Sequence, residues 1–306
     1  MPNRTRQLAE NAIMLGISAV LLFLSTYALG TVMAVFLPVP FILLAINRTH
    51  RDMLLVVVAF TFLGFMFASF SGAFTGLLTG VTGWLMGTCY QRYGKALPAI
   101  IVGAVVGLVG IIAGIAFLTF VLNVNVIQEL QTLFEESARR AFDMYPPGNM
   151  TFTEWKDMFL RFIMTLIPFM LVLQSLMSSV VSHWLARTIG RRLGRNIPAL
   201  PPFREWSFPR SLLFYYLVVQ LIILIVGQED LYASFWGKAV FNLYYALNLL
   251  MAIQGTSLIA LYMFKKNWSK FTPLLIFIFP LLANILSLLG ILDIGIGLRK
   301  KLETRN

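Results

Sequence analysis

LPAIIVGAVVGLVGIIAGIAFLTFVL, from Leu97 to Leu122, contains no charged side chain. About 20 consecutive apolar residues cross a hydrocarbon core as a helix, so this stretch is long enough to span. It is not alone. Ile13–Leu29, Met53–Phe70, Phe162–Val181, Ser211–Val226, Val240–Phe264 and Phe271–Leu292 are comparable runs, and Thr31–Ile46 and Gly72–Cys89 are weaker ones. With 58% hydrophobic and 12% charged residues and a mean hydropathy of +0.80, no water-soluble core could hide so much apolar surface. The fold class expected is an all-α, polytopic transmembrane helical bundle.

The formal charge of +11 raises the question of a nucleic-acid partner, and its distribution answers it. Threading nine segments alternately from a cytoplasmic N-terminus puts 15 basic and three acidic residues inside (Glu10, Asp52, Glu205). The outside receives five basic residues (Arg139, Arg140, Lys156, Arg161, Lys238) and eight acidic ones. That is the positive-inside asymmetry, and it accounts for the basic charge without nucleic acid. An odd number of spans would put Arg299, Lys300, Lys301 and Arg305 outside, against the rule. We therefore expect about eight full spans, one partial or re-entrant segment, and a cytoplasmic tail, with Phe271–Leu298 bending back at Pro280 or Gly290 as one solution. The first span is read as uncleaved, because its apolar run is too long for a signal-peptide core.

The expected organisation is an N-terminal bundle over 1–122, a polar excursion over 123–160, and a C-terminal transmembrane region over 161–306 with a basic cytoplasmic loop at 186–210. Within the excursion, Ile127, Leu130, Phe134, Ala138, Ala141 and Tyr145 recur at helical spacing, which predicts an extracytoplasmic amphipathic helix. Pro146-Pro147-Gly148-Asn149 breaks the chain. Thr151 with Glu154 reads as a capping box that opens the next helix.

Gly72, Gly76, Gly80, Gly83 and Gly87 are spaced 4, 4, 3, 4, and Ala99, Gly103, Gly107, Gly110 and Gly114 repeat that spacing. Each set forms one helical stripe of small residues, the kind that lets helices approach closely in lipid. Catalytic machinery is nearly absent. His50 and His183 have no recognisable nucleophile or acid partner, Gly94-Lys95 lacks the rest of a P-loop, and the lone Cys89 forms neither an internal disulfide nor a CxxC metal site. No enzyme, metal or cofactor is expected. The spans also carry almost none of the carboxylates an ion-coupled transporter would use, Glu10 and Asp293 standing at span ends.

Neutral polar residues are more plentiful. Gln174, Ser178 and Ser182 form one i, i+4 row, and Ser175, Ser179 and His183 the next; Gln220, Asn242, Asn248, Gln254 and Asn284 follow in later spans. They are either interhelical hydrogen bonds or, for Gln174, Ser178, Gln220, Asn248, Gln254 and Asn284, a neutral ligand pocket. Arg187, Arg191, Arg192 and Arg195, with Trp206 further along the loop, either contact anionic lipid at the cytoplasmic face or dock a protein partner.

Several segments together resemble the YybS family of predicted bacterial membrane proteins. They are Leu8-Ala9-Glu10-Asn11-Ala12, Phe36-Leu37-Pro38-Val39-Pro40-Phe41, the Phe203–Pro209 loop, Ile253-Gln254-Gly255, and Leu289-Gly290-Ile291-Leu292-Asp293 with Arg299-Lys300. The resemblance implies a bacterial cell-membrane location and no assigned activity. The N-terminal half is also similar to the substrate-binding S-components of energy-coupling-factor transporters. That similarity implies a small-molecule binder seated on a membrane coupling subunit with ATPases, with Ala12 and Gly16 as the small-residue contact. The alternative is a non-transporting scaffold or regulator acting through the arginine-rich loop.

Overall fold

The computed structural model describes residues 4–28, 30–145, 148, 150–268 and 274–303. Pro146, Pro147, Asn149, Lys270 and Arg305 lie outside the described residues, as do the side chains of Glu229, Asp230 and Pro280. All regular structure among the described residues is helical: α1 (Arg4–Tyr27), α2 (Gly30–Ala34), α3 (Pro38–Ala45), α4 (His50–Tyr93), α5 (Ala96–Phe120), α6 (Val126–Met144), α7 (Phe152–Arg192), α8 (Arg210–Val226), α9 (Gln228–Ala233), α10 (Phe235–Lys265), α11 (Leu274–Ile296) and α12 (Leu298–Glu303), with a 3₁₀ turn at Phe203–Glu205. Five of these helices, α1, α4, α5, α7 and α10, are long and apolar enough to cross a membrane. Arg210–Val226 and Leu282–Ile296 are shorter apolar helices.

The chain forms two compact units, Met1–Ile127 with Leu171–Leu200, and Gln128–Met170 with Pro201–Asn306. Helix α7 contributes to both, since its 41 residues extend about 60 Å.

In unit 1 the two apolar runs Met53–Phe70 and Gly72–Cys89 belong to one helix that folds back on itself. Ala68 and Ser69 leave helical geometry, Ser69 at φ 51°. The arms then pack antiparallel, because a Cβ on Gly76 would sit 3.1 Å from the Phe60 carbonyl and one on Gly80 3.0 Å from Val57. Trp84 Nε1 donates to His50 Nδ1 at 3.3 Å further along the same pair. The first glycine stripe is thus shared. Gly72, Gly76 and Gly80 face the first arm of α4, while Gly83 and Gly87 face α3 at Phe41 and Ala45. All eight residues of α3 are buried, and Pro38 opens it where a helix needs no N–H donor.

In unit 2 the amphipathic helix α6 packs on the start of α7 through Phe142, which meets the rings of Phe152 and Trp155. The capping box forms as expected. Thr151 N–H donates to the Glu154 carboxylate at 2.9 Å, and Glu154 N–H to Thr151 Oγ1 at 3.4 Å. Helices α10 and α11 cross with almost no side chain between them: a Cβ on Gly255 or Gly290 would collide with backbone of the other helix.

Asn248 pairs with Ser287, Gln254 with Asp293, and Lys265 with the Leu302 carbonyl. These three pairs advance together along both chains, so the second part of α11 runs parallel to α10. A helix following directly on α10 would run antiparallel. The chain therefore returns somewhere between Lys265 and Ser287, and Leu282 is the one residue inside α11 with non-helical angles (φ −113°, ψ 17°). This kink lies two residues after Pro280, where a helix lacks one N–H donor.

Candidate functional site

Unit 1 contains an uncharged cleft of about 350 Å³. Its floor is the second small-residue stripe, Gly103, Gly107, Gly110 and Gly114 of α5. One wall is α7, with Gln174, Ser175, Ser178, Ser179 and Ser182; the other is the second arm of α4, with Thr75, Thr79 and Thr82. Phe74, Leu78, Val106 and Ile111 supply apolar surface. The glycines account for the space. A Cβ on Gly103 would press on Met86 at 2.6 Å, whereas one on Gly107 would meet only Ser175, at 3.5 Å. Gly103 therefore holds the helices together, and Gly107 leaves room.

The wall hydroxyls divide into two groups. Ser179 donates to the Ile100 carbonyl at 2.8 Å and Ser182 to the Val35 carbonyl at 3.1 Å, so both fasten α7 to its neighbours. Thr75 and Thr82 donate to their own helix, as does Ser175, which leaves each oxygen with accepting capacity toward the cleft. Gln174 is exposed and Ser178 half-buried. The arrangement can accept from and donate to a neutral polar molecule. It offers no counter-charge to an ion.

The other four residues of the expected pocket belong to unit 2. Gln220 and Asn284 are exposed. Asn248 accepts from Ser287 at 2.7 Å. Gln254 is 2% exposed and engaged on both ends: its Nε2 donates to Asp293 at 2.5 Å and its Oε1 accepts from Phe208 N–H at 2.9 Å. Around it, Ser257 Oγ lies 2.8 Å from the carbonyls of both Phe203 and Trp206, which share its one proton. Arg299 donates to Ser257 at 2.9 Å and to the Arg204 carbonyl at 2.8 Å. This is a buried polar knot tying the 203–208 loop to α10 and α12. His183 is likewise engaged, 2.6 Å from the Tyr90 hydroxyl.

The basic loop is less free than its sequence suggests. Arg195 is buried, donating to the Leu43 carbonyl and to the Glu10 carboxylate. Burial pulls its guanidinium below the usual pKa range, and Glu10 opposes that shift. Trp206 donates to the Pro201 carbonyl at 3.0 Å. Arg187 is half-buried with Nε unpartnered, while Arg191 and Arg192 are exposed.

Three features escape the sequence reading. The threonines 75, 79 and 82 follow i, i+4, i+7, a legible stripe overshadowed by the glycines beside it. Nothing in the spacing marks Glu10 as the acceptor for two arginines, nor Asn242 as the partner of the backbone groups beside Pro168.

The family model described as "Predicted membrane protein (DUF2232)" matches residues 16–294. The chain belongs to this family. Within the curated relatives, the uncharacterized protein YybS of Bacillus subtilis (strain 168) is 26% identical over 311 residues, covering 98% of this chain and 99% of that protein. No solved structure matches. The segments that carry the YybS resemblance meet inside each unit. In unit 1, Glu10 and Asn11 hold Arg48 beside α3. In unit 2, the Phe203–Pro209 loop, Gln254, Asp293 and Arg299 form the polar knot. The segments that carry the resemblance are thus, in large part, those that fasten helices in this chain.

Proposed function

We propose that this membrane protein binds an uncharged, hydrogen-bonding small organic molecule in the unit 1 cleft. The observation that carries the reading is the lining: two hydroxyl-bearing walls over a glycine floor with no ionisable side chain. An unpaired charge in such a place would cost several kcal/mol, whereas a neutral polar molecule can meet the hydroxyls directly. About 350 Å³ lies near the lower end of ordinary ligand pockets.

Such a binder carries no catalytic step of its own and serves uptake through a separate membrane coupling subunit with ATPases. Ala12 and Gly16 are exposed on α1, and nothing lies within 4 Å of a Cβ built on Gly16; this supports a partner helix there. Arg191 and Arg192 meet anionic lipid on the cytoplasmic face of the bacterial cell membrane. The membrane topology proposed has eight crossings: α1, the α2–α3 segment, the two arms of α4, α5, α7, α8 and α10. The bent α11 is re-entrant, both termini are cytoplasmic, and α6 is extracytoplasmic. The pairing of Glu10 with Arg48 and Arg195 supports the count in unit 1, and that of Lys265 with Leu302 supports it in unit 2.

The test is native mass spectrometry of protein extracted gently from its own membranes, alongside Gly107→Val. The proposal expects a reproducible neutral ligand on the wild type that is reduced at least tenfold on the variant, with melting nearly unchanged. Lipid alone on both proteins would overturn it.

A further inference from the structure

A second cavity, in unit 2, has the opposite character. It measures about 270 Å³ and is lined by Arg161, Lys238, Tyr232 and Gln131 among polar residues, with Leu160 and Met164 as its apolar side. Five basic residues are expected on the outer side, and three of them are already occupied. Lys156 is 3.2 Å from Glu135, Arg140 is 3.6 Å from Glu136, and Arg139 lies over the Phe152 ring at 4.8 Å. The remaining two, Arg161 and Lys238, have no carboxylate within 4.0 Å among the described residues, and these are the two that line the cavity.

We infer that this cavity is an oxyanion site that takes a phosphate group. Two cations with no carboxylate within 4.0 Å among the described residues, on different helices, α7 and α10, line one space, where a phosphate can accept from both. The Gln131 amide and the Tyr232 hydroxyl add neutral donors to the lining, and burial raises the Tyr232 pKa, keeping the phenol protonated. Leu160 and Met164 leave one side apolar, so the molecule that carries the phosphate has an apolar part beside it. A phospholipid headgroup and a small organic phosphate share this chemistry.

The experiment follows thermal unfolding of the full chain in detergent, with three proteins: wild type, Arg161→Gln/Lys238→Gln, and Lys156→Gln as a control that removes an outer cation already paired with Glu135. One arm adds sodium phosphate against sodium chloride at equal ionic strength. The other adds dioleoylphosphatidylglycerol to the micelles against dioleoylglycerol, which lacks phosphate. The expected result is a midpoint raised by about 3 °C at ten times the dissociation constant, retained in Lys156→Gln and lost in the double variant. A shift with inorganic phosphate identifies a free phosphate ligand; one confined to phosphatidylglycerol identifies a lipid headgroup. Equal shifts in wild type and double variant, or none in either arm, would overturn the inference. If the double variant does not fold, Lys238→Gln alone, at the exposed start of α10, should weaken the response at least tenfold; an unchanged response would overturn the inference equally.

Discussion

Glu10 and Arg195, 185 residues apart in the chain, are joined as a salt bridge, and the second oxygen of the same carboxylate holds Arg48 at 2.7 Å. Both arginine side chains are nearly buried, at 5% and 7% exposure, while Glu10 is 36% exposed. One carboxylate therefore compensates two cations that have little access to water. Glu10→Gln should lower stability by about 3 kcal/mol, toward the low end for breaking a buried pair because the acid itself is partly solvated. Thermal unfolding in mild detergent would read this. A change under about 1 kcal/mol would mean that the two arginines find water or carbonyls instead.

Asn242 takes up the backbone groups that flank Pro168 inside α7. Its Nδ2 donates to the Thr165 carbonyl at 2.7 Å, and its Oδ1 accepts from Phe169 N–H at 2.9 Å. Asn242→Leu leaves two backbone groups without that amide, at a cost of about 2 kcal/mol. Combining it with Pro168→Ala, which restores one helical donor, should recover part of the loss. Additive losses in the double variant would sink the idea.

Gly255 and Gly16 should respond oppositely to alanine. A methyl on Gly255 meets the Leu286 carbonyl, whereas one on Gly16 meets nothing within 4 Å. Gly255→Ala should cost about 1–3 kcal/mol by overpacking. Gly16→Ala should be neutral or stabilising by up to about 1 kcal/mol, since alanine orders a helix more cheaply. Both are measured by melting.

Single cysteines at Arg6 and Lys300, in a Cys89→Ala background, should react with an impermeant maleimide from the same side of the membrane. A cysteine at Glu136 should react from the other side. Labelling of positions 6 and 300 from opposite faces would eliminate a re-entrant α11.

Much of the architecture was legible in the chain because its causes are local. Thr151 and Glu154 lie one turn apart, so their capping box needs no tertiary information. The period of Ile127, Leu130, Phe134 and Ala138 determines an amphipathic helix in the same way. The glycine stripes announce close packing because their spacing is itself helical geometry.

What the stripes pack against is not local. Gly72–Gly80 turn toward the first arm of the same helix because Ala68 and Ser69 reverse the chain, a reversal carried by the backbone angles of two residues. The pocket residues show the same limit. Gln174 and Ser178 stand beside Thr75, Thr79 and Thr82 only because α4, α5 and α7 are brought together through Gly103, while Gln254, equally polar and apolar-flanked in sequence, is consumed by Asp293 and Phe208. By itself the sequence determined the class, the helices and the membrane's claim on them, since hydropathy, periodicity and capping act over one or two turns. Only the tertiary structure decided which polar side chains bond to each other and which face open space, because hydrogen-bond satisfaction depends on partners that sequence distance does not reveal.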